Sequence, residues 1–251
     1  RLYIFLVLDI HGQKQIESCL PVLRRIVQLS VINLEEIQMD ELHAFHDSRF
    51  SCGFYKLNIH NILPLNVTLA LFADIDTVIN RNTTDLLQQH NKLITQGSTP
   101  IMWAAMELAD NQPCCPQCVK KHNWPSGGCG FNTGVMVINL HRMRELKLTV
   151  TEFLRVNDEP FAVAGDQDIL NTHGFYNPNL YGTLPCEWNF RAHAECKGFD
   201  FGNAAVAHGV GGQFFKKLWY VPYEATQTAI KICGDNSSYI DGYYPTRIVW
   251  P

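Results

Sequence analysis

The chain reads as an α/β protein built on a parallel or mixed sheet, and two observations predict this. Apolar runs of strand length alternate with segments whose apolar residues recur at helical spacing. One of those runs, Leu69-Ala-Leu-Phe-Ala73, leads directly into two carboxylates, Asp74 and Asp76. Ligands of such sheets lie beyond the carboxyl ends of the strands, so acids emerging there mark a candidate site. The bulk composition agrees. A chain of 251 residues, 46% hydrophobic and 18% charged, suits one sizeable globular core.

The elements follow in order. Leu2 to Leu8 is a continuous apolar run, as a buried strand requires. Gln13 to Arg25 has helical spacing, with Pro21 inside it as a disturbance. Ile26 to Ile32 reads as a second strand, and Phe54 to Leu63 as a helix stopped by Pro64. Thr68 to Ala73 is the strand that delivers the acids. Thr83-Thr-Asp-Leu-Leu looks like a helix start with hydroxyl caps. Pro100 to Met106 is a further apolar run. The segment Asn111 to Gly130, rich in Cys, Pro and Gly, reads as a loop that covers a site. Val135 to Leu140 is strand-like, and Arg142 to Val156 is helical. No internal repeat, low-complexity tract or domain linker interrupts the pattern.

Charge and composition exclude several classes. A net charge of -4 argues against a nucleic-acid binder, which needs a basic stripe. No apolar run reaches membrane-spanning length, so a membrane anchor or signal, if one exists, is expected outside this chain. Nine cysteines favour an oxidising compartment with some disulfides. The Cys115-Pro-Gln-Cys118 pair is an alternative zinc element without a second pair to complete it. Asn66-Val-Thr, Asn82-Thr-Thr and Asn236-Ser-Ser are glycosylation acceptors, and together with the cysteines they favour a secretory lumen.

Two acids spaced i, i+2 on a strand point to one side and can hold a divalent metal. By itself the pair is a weak signal, since roughly one is expected by chance in a chain this long. Three readings stand at this point. The pair is a polar strand exit, a metal clamp for a nucleotide-sugar donor, or the motif of a haloacid-dehalogenase-like aspartyl phosphatase. In the last case Asp74 attacks phosphorus and Asp76 is the acid/base.

Further motifs separate these readings. Gly130-Phe-Asn-Thr-Gly-Val135, Gly165-Asp-Gln-Asp-Ile-Leu-Asn171, Leu184-Pro-Cys-Glu-Trp-Asn189 and Ala207-His-Gly209 follow in this order. With the Tyr55-Lys56-Leu57 and Leu63-Pro64 pieces they resemble family-eight retaining glycosyltransferases, the glycogenin-like group. The look is closest to the LARGE-type and glucoside xylosyltransferases. The resemblance implies a GT-A fold, a mixed and mainly parallel sheet flanked by helices. It implies one transferase domain over residues 1–251. Residues 1–140 would form its donor and metal part, and 141–251 its acceptor side and closing His-Gly segment. The implied activity is retaining transfer of a hexose or pentose, xylose preferred, from a UDP-sugar to a glycan or glycoprotein in the Golgi. A dimer is compatible with it.

The resemblance also implies a ligand set. Asp74, Asp76 and His208 match the metal ligands, for Mn2+ or another divalent cation. Lys56, Asp74, Ile75, Asp76, Asn132, Thr133, Gly134, Asp166 and Gly209 match donor contacts. Asp166 and Gln167 match the pair beside the reacting carbon. Asp168 has the alternative of capping the next helix. Lys56 has the alternative of snorkelling at the surface, and Lys216 and Lys217 are either diphosphate contacts or an exposed pair. Trp188 reads as a structural tryptophan, while Asn189 is placed near the acceptor. In the family a strand and helix precede the segment resembling Leu2 to Leu8. This chain is therefore expected to start at the second strand, without the uracil-binding unit. A catalytically inactive binding protein is thus a further alternative.

Overall fold

The computed structural model describes residues 3–8, 17, 20–26, 28–33, 51–74, 76–107, 130–154, 165–191, 194, 196–200 and 202–209. They fall into two compact units. The first holds β1 (Tyr3–Leu8), α1 (Leu20–Ile26) and β2 (Gln28–Asn33). The strands pair in parallel, from Tyr3↔Gln28 to Leu8↔Asn33. A parallel pair needs a crossover, and α1 lies within it. The described helix begins at Leu20, later than the spacing predicts. Pro21 then sits in the first turn, where its missing N–H costs no hydrogen bond.

The second unit carries the remaining elements. These are α2 (Ser51–Ile62), β3 (Leu69–Ala73), β4 (Thr77–Ile79) and α3 (Thr84–Thr95). Then come β5 (Met102–Met106), β6 (Phe131–Asn139), α4 (Leu140–Glu145) and α5 (Val150–Leu154). Last are α6 (Asp166–Tyr176), β7 (Tyr181–Thr183) and β8 (Val206–His208). Short 3-10 turns at Pro178–Leu180 and Cys186–Asn189 link them.

Four strands form a mixed sheet in the order β3-β6-β5-β7, and β4 pairs with β8 separately. β6 runs antiparallel to both β3 and β5, while β5 and β7 are parallel. The mixed character matches the expectation. Within this sheet, however, β6 reverses the direction that a mainly parallel arrangement implies.

Val137 packs with Leu86, Trp103, Ala105 and Leu184 into a buried cluster, and Trp188 leans on it from the edge. Alternation along β6 sends Met136 and Ile138 to the opposite face. Both are buried, as are Met143 and Phe153 of α4 and α5.

Local chemistry explains the boundaries. The hydroxyl caps expected for α3 are not what starts it. Thr83 makes no side-chain cap bond, and Asn82 Oδ1 accepts from Thr84 N at 3.0 Å instead. The expected single helix from Arg142 to Val156 is two. Asn139 Oδ1 caps α4 by accepting from Arg142 N, and Lys147, at φ 53°, turns the chain out of it. A reciprocal box then restarts the chain. Thr149 N donates to Glu152 Oε2 at 2.9 Å, and Glu152 N donates to Thr149 Oγ1 at 3.2 Å.

β6 begins at Phe131, four residues before the expected strand. Asn171 on α6 clamps both backbone groups of Phe131 there, at 2.6 and 2.9 Å. Arg144 on α4 donates to the carbonyls of His60, Leu63, Pro64, Leu65 and Val67. It thereby satisfies the carbonyls left open where α2 ends. The loop reading of 111–129, the Cys115–Cys118 pair, Asn236 and Lys216–Lys217 fall outside the described residues.

Two stability predictions follow from this packing. Cys186 and Cys196 form a disulfide ten residues apart, closing the segment that leads into β8. Replacing both by serine should lower the unfolding free energy by about 3 kcal/mol, as read by urea denaturation. Unchanged stability would rule out that contribution.

His173 is buried against Phe153, with Nδ1 2.7 Å from the Tyr181 hydroxyl. Burial depresses its pKa from the ordinary 6.5 to about 4. Above pH 6.5 it is neutral folded or unfolded. Between 6.5 and 4 only the unfolded chain takes the proton, so stability falls as pH falls. The total reaches about 3 kcal/mol near the folded value. His173→Gln should flatten that part of the stability–pH curve, and a slope unchanged from wild type would refute the assignment.

Candidate active site

The chain bends at Asp74 from one ladder to another. Asp74 N donates to Gly134 O at 2.7 Å, the last rung of the β3–β6 ladder. Three residues on, Thr77 pairs with His208 as the β4–β8 ladder begins. Thr77 Oγ1 donates to Asp74 O at 2.7 Å and ties the corner. The two acids therefore converge through a turn at the junction of two ladders. A shared strand face, the basis of the sequence expectation, is not what aligns them. Asp76 O accepts from Gly209 N at 2.8 Å, which brings the His-Gly segment alongside. Ile75 lies outside the described residues.

His208 closes the cluster. Its Nε2 lies 3.3 Å from Asp76 Oδ1 and 3.8 Å from Asp74 Oδ2. One ligand atom from each of the three residues lies within 4.8 Å of the others. Two carboxylates and one imidazole make a donor set for a divalent cation such as manganese or magnesium. The backbone makes room for it. A Cβ at Gly134 would sit 2.0 Å from His208 Cε1, so only glycine lets the ring lie against β6. The Cys186, Glu187 and Cys196 atoms also cluster, but their sulfurs are joined in the disulfide.

Lys56 is the second anchor, and it does not snorkel. Its Nζ lies 3.0 Å from Asp74 Oδ1, 2.9 Å from Asp166 Oδ2 and 3.3 Å from Thr133 O. Three partners use the three donors of an ammonium. Phe72 lies beneath it at 4.9 Å. Burial alone would lower the Lys56 pKa, but Asp166 and Asp74 together outweigh it and hold the amine above its ordinary value. Asp74 moves the other way. Burial raises its carboxyl above the usual range despite the opposing pull of Lys56. Asp76 is held below that range, chiefly by the His208 ring beside it.

The N-terminus of α6 supplies the next groups. Asp166 accepts from Thr133 Oγ1 at 3.1 Å, and Gln167 Oε1 accepts from Thr133 N at 3.2 Å. A carboxylate in the first helical turn is favoured by the N–H dipoles there. Asp168 is buried inside that turn, with α6 already under way at Asp166, so it is not the cap residue. Asn132 is buried beside Gly134 and donates to Glu107 Oε2 at 2.8 Å. Gln167 Nε2 donates to the same oxygen at 3.0 Å.

Sequence reasoning missed Glu107 and Arg191. Glu107 directly follows the apolar run to Met106, the same signal that exposed Asp74. Arg191 is 1% exposed and donates to the carbonyls of Met106 and Glu107 at 2.6 and 2.9 Å. No motif marks it. Asn189, expected near the acceptor, is turned inward toward His208 and Asn132. Lys56, Asp74, Asp76, Asn132, Thr133, Gly134, Asp166, Gln167, His208 and Gly209 thus gather at one end of the sheet, as the motif order suggested.

Known proteins place this geometry. The model of the family described as "Glycosyl transferase family 8" matches residues 8–213. Mouse glucoside xylosyltransferase 2 is 32% identical over 188 residues, covering 65% of this chain and 39% of that protein. Human xylosyl- and glucuronyltransferase LARGE1 is 29% identical over 172 residues, covering 65% of this chain and 22% of that protein. The chain thus spans well under half the length of these relatives. Among solved structures, apo mouse xyloside xylosyltransferase 1 superposes with a TM-score of 0.62 at 21% identity, covering 84% of this chain and 85% of the other. The galactosyltransferase LgtC, solved with donor and acceptor sugar analogs, gives 0.56 at 15% identity, covering 90% and 99%.

At such identities these structures establish the fold, which is GT-A. The phosphatase reading of Asp74 and Asp76 finds no support among them. Two ladders that bring an Asp-Asp-His cluster beside a buried lysine, on a GT-A sheet, in a chain matched along most of its length, lead to one assignment: the protein belongs to glycosyl transferase family 8.

Proposed function

We propose that the protein is a retaining, metal-dependent glycosyltransferase that moves a sugar from a UDP-sugar to a glycan or glycoprotein acceptor. The observation that carries this reading is the convergence of Asp74, Asp76 and His208 beside Lys56. A nucleoside diphosphate leaves poorly until its charge is neutralised. A divalent cation held by that trio, manganese in our reading, supplies the positive charge. Lys56 contributes a second, fixed charge from the protein itself. Asp76 and Gly209 border the diphosphate, while Asn132, Thr133, Gly134 and Asp166 face the sugar.

Gln167 sits at the reacting carbon as a positioning group. Both ends of its amide are engaged, Oε1 by Thr133 N and Nε2 by Glu107, and an amide is a feeble nucleophile. Retention then follows on the front face. The bond from the anomeric carbon to the phosphate oxygen breaks, and the acceptor oxygen bonds from the same side. The departing phosphate oxygen takes the acceptor's proton.

Xylose is the preferred donor sugar, since three of the similar proteins are named for xylosyl transfer, one of them together with glucuronyl transfer. We read the chain as one transferase domain acting in the secretory lumen, in the Golgi. The Cys186–Cys196 disulfide and the exposed acceptors Asn66 and Asn82 support an oxidising, glycosylating compartment.

The direct test is manganese-dependent UDP release from a panel of UDP-sugars by the full-length protein. The reading expects release from UDP-xylose above the others. Donor binding without turnover would favour a non-catalytic binding role, and a covalent aspartyl-phosphate would revive the phosphatase. Asp76→Asn should cut release more than about 100-fold while the far-UV spectrum and melting temperature stay near wild type. Substantial manganese-dependent turnover in that variant would refute the ligand assignment. Lys56→Met leaves Asp74 and Asp166 without their counter-charge. It should cost about 3 kcal/mol of unfolding free energy as well as donor turnover. A fully stable Lys56→Met protein would contradict the buried-anchor role.

A further inference from the structure

A metal site at Asp74, Asp76 and His208 needs the imidazole to present a bare nitrogen to the two carboxylates. Nothing within the trio secures this. A neutral imidazole carries one hydrogen, on either nitrogen, and only the other nitrogen can bind a metal. Beside two carboxylates the hydrogen is drawn to the nitrogen that faces them, which here is Nε2. That form would close the lone pair to a cation.

A chain of buried amides works against it, and its polarity can be read from groups whose roles are not in question. Gly134 N–H can only donate, and it meets the Asn132 side chain at 3.1 Å. The atom it meets is therefore the carbonyl oxygen, Oδ1. The other end of that amide, Nδ2, meets the Glu107 carboxylate, an acceptor, at 2.8 Å. Asn132 is thus fixed at both ends. The Asn189 amide reaches the same Asn132 oxygen at 2.8 Å and the Asn132 carbonyl at 3.3 Å. Both are acceptors, so Asn189 presents its Nδ2 to them. Its Oδ1 consequently faces His208 Nδ1, at 3.0 Å. A carbonyl oxygen there requires the hydrogen to be on Nδ1.

Asn132, Asn189 and His208 are 4%, 1% and 6% exposed, so water does not compete for these bonds. The backbone holds the pair in place, because Phe190 O accepts from His208 N at 2.8 Å, next to Asn189 in the chain.

We infer that Asn189 is a positioning residue that selects the Nδ1–H form of His208 and so keeps Nε2 open toward Asp74 and Asp76. Asn132, locked between Gly134 N–H and Glu107, sets which end of Asn189 faces the ring. The purpose of the relay rests on the metal-dependent reading above, but its polarity is measurable with no metal present.

The test is a two-bond proton–nitrogen correlation of the imidazole rings in the full-length, metal-free, nitrogen-15-labelled protein. It is run at about pH 9, well above the ordinary imidazole pKa, with His208→Gln to assign the signal. Wild type should show the hydrogen on Nδ1. Asn189→Leu should move it to Nε2 and weaken Mn2+ binding, read from the metal's electron spin resonance, by about 10- to 100-fold. Asn189→Asp keeps an acceptor against Nδ1 although it gives up the donor to Asn132, so it should retain the wild-type tautomer and recover part of the Mn2+ affinity. A role in packing alone would not separate Leu from Asp in this way.

The inference is overturned if wild-type His208 carries its hydrogen on Nε2, a result that needs no variant to fold. It is equally overturned if Asn189→Leu keeps both the wild-type tautomer and the wild-type Mn2+ affinity. An Nδ1–H wild type that binds no Mn2+ would leave the relay standing and sink the metal-dependent reading instead.

Discussion

Lys56 holds Asp74 and Asp166 within 3.0 Å of one buried ammonium, and the remaining site geometry depends on that pairing. Asp74 follows β3 and Asp166 begins α6, so the lysine joins the sheet edge to the helix that carries Gln167. Without a cation between them, the two carboxylates would repel, and Asp74 would be driven toward protonation. Burial already pushes Asp74 in that direction. The lysine is placed in turn by α2, whose end is held by the Arg144 guanidinium on α4. Charge at the site therefore traces back to a helix terminus far from any ligand atom. Removing a buried charge partner is costly because the survivor keeps its desolvation penalty and loses its compensation.

Sterics and hydrogen-bond polarity complete what charge begins. Gly134 gives up a side chain so that the His208 ring can lie against β6. The same residue's N–H starts the sequence of donors and acceptors that ends at His208. Glu107 accepts from both Asn132 and Gln167, and Arg191 holds the Glu107 backbone, so β6 and α6 share one carboxylate. A connected buried network of this kind is rigid, because each member would lose a partner by rotating.

Much of this is legible in the sequence. The strands at Leu69–Ala73 and Met102–Met106 are dense apolar runs, and α2 shows helical spacing, so periodicity found them. Asp74, Asp76 and His208, which the structure brings together, stand out in the sequence because each sits in a short motif in a fixed order. What escaped depended on contacts between distant residues. β4 is three residues long and exists because β8 pairs with it. The first half of β6 is drawn into the strand by the Asn171 clamp. The break between α4 and α5 hinges on a left-handed Lys147 and a Thr-Glu box, signals too local for a periodicity argument. Arg191 could not be found at all, since a buried arginine and an exposed one look alike in sequence. Asn189 reads from sequence as an acceptor contact, whereas its side chain is buried toward Asn132 and His208, an orientation that only hydrogen-bond polarity shows.

The β4–β8 ladder also bears on how the molecule is made. Asn80 donates to Ala204 across 124 positions of chain, and Thr77 meets His208 over a similar span. Closing so long a loop loses entropy before the contact returns any energy, so this ladder belongs among the late events of folding. During synthesis the two aspartates leave the ribosome long before their histidine. In that interval β4 presents unpaired backbone groups, a natural binding place for a chaperone and a weak point for aggregation. A nascent chain interrupted after β7 and before residue 206 would have the acids, the lysine and the four-stranded sheet, yet would lack the strand that turns them into a site.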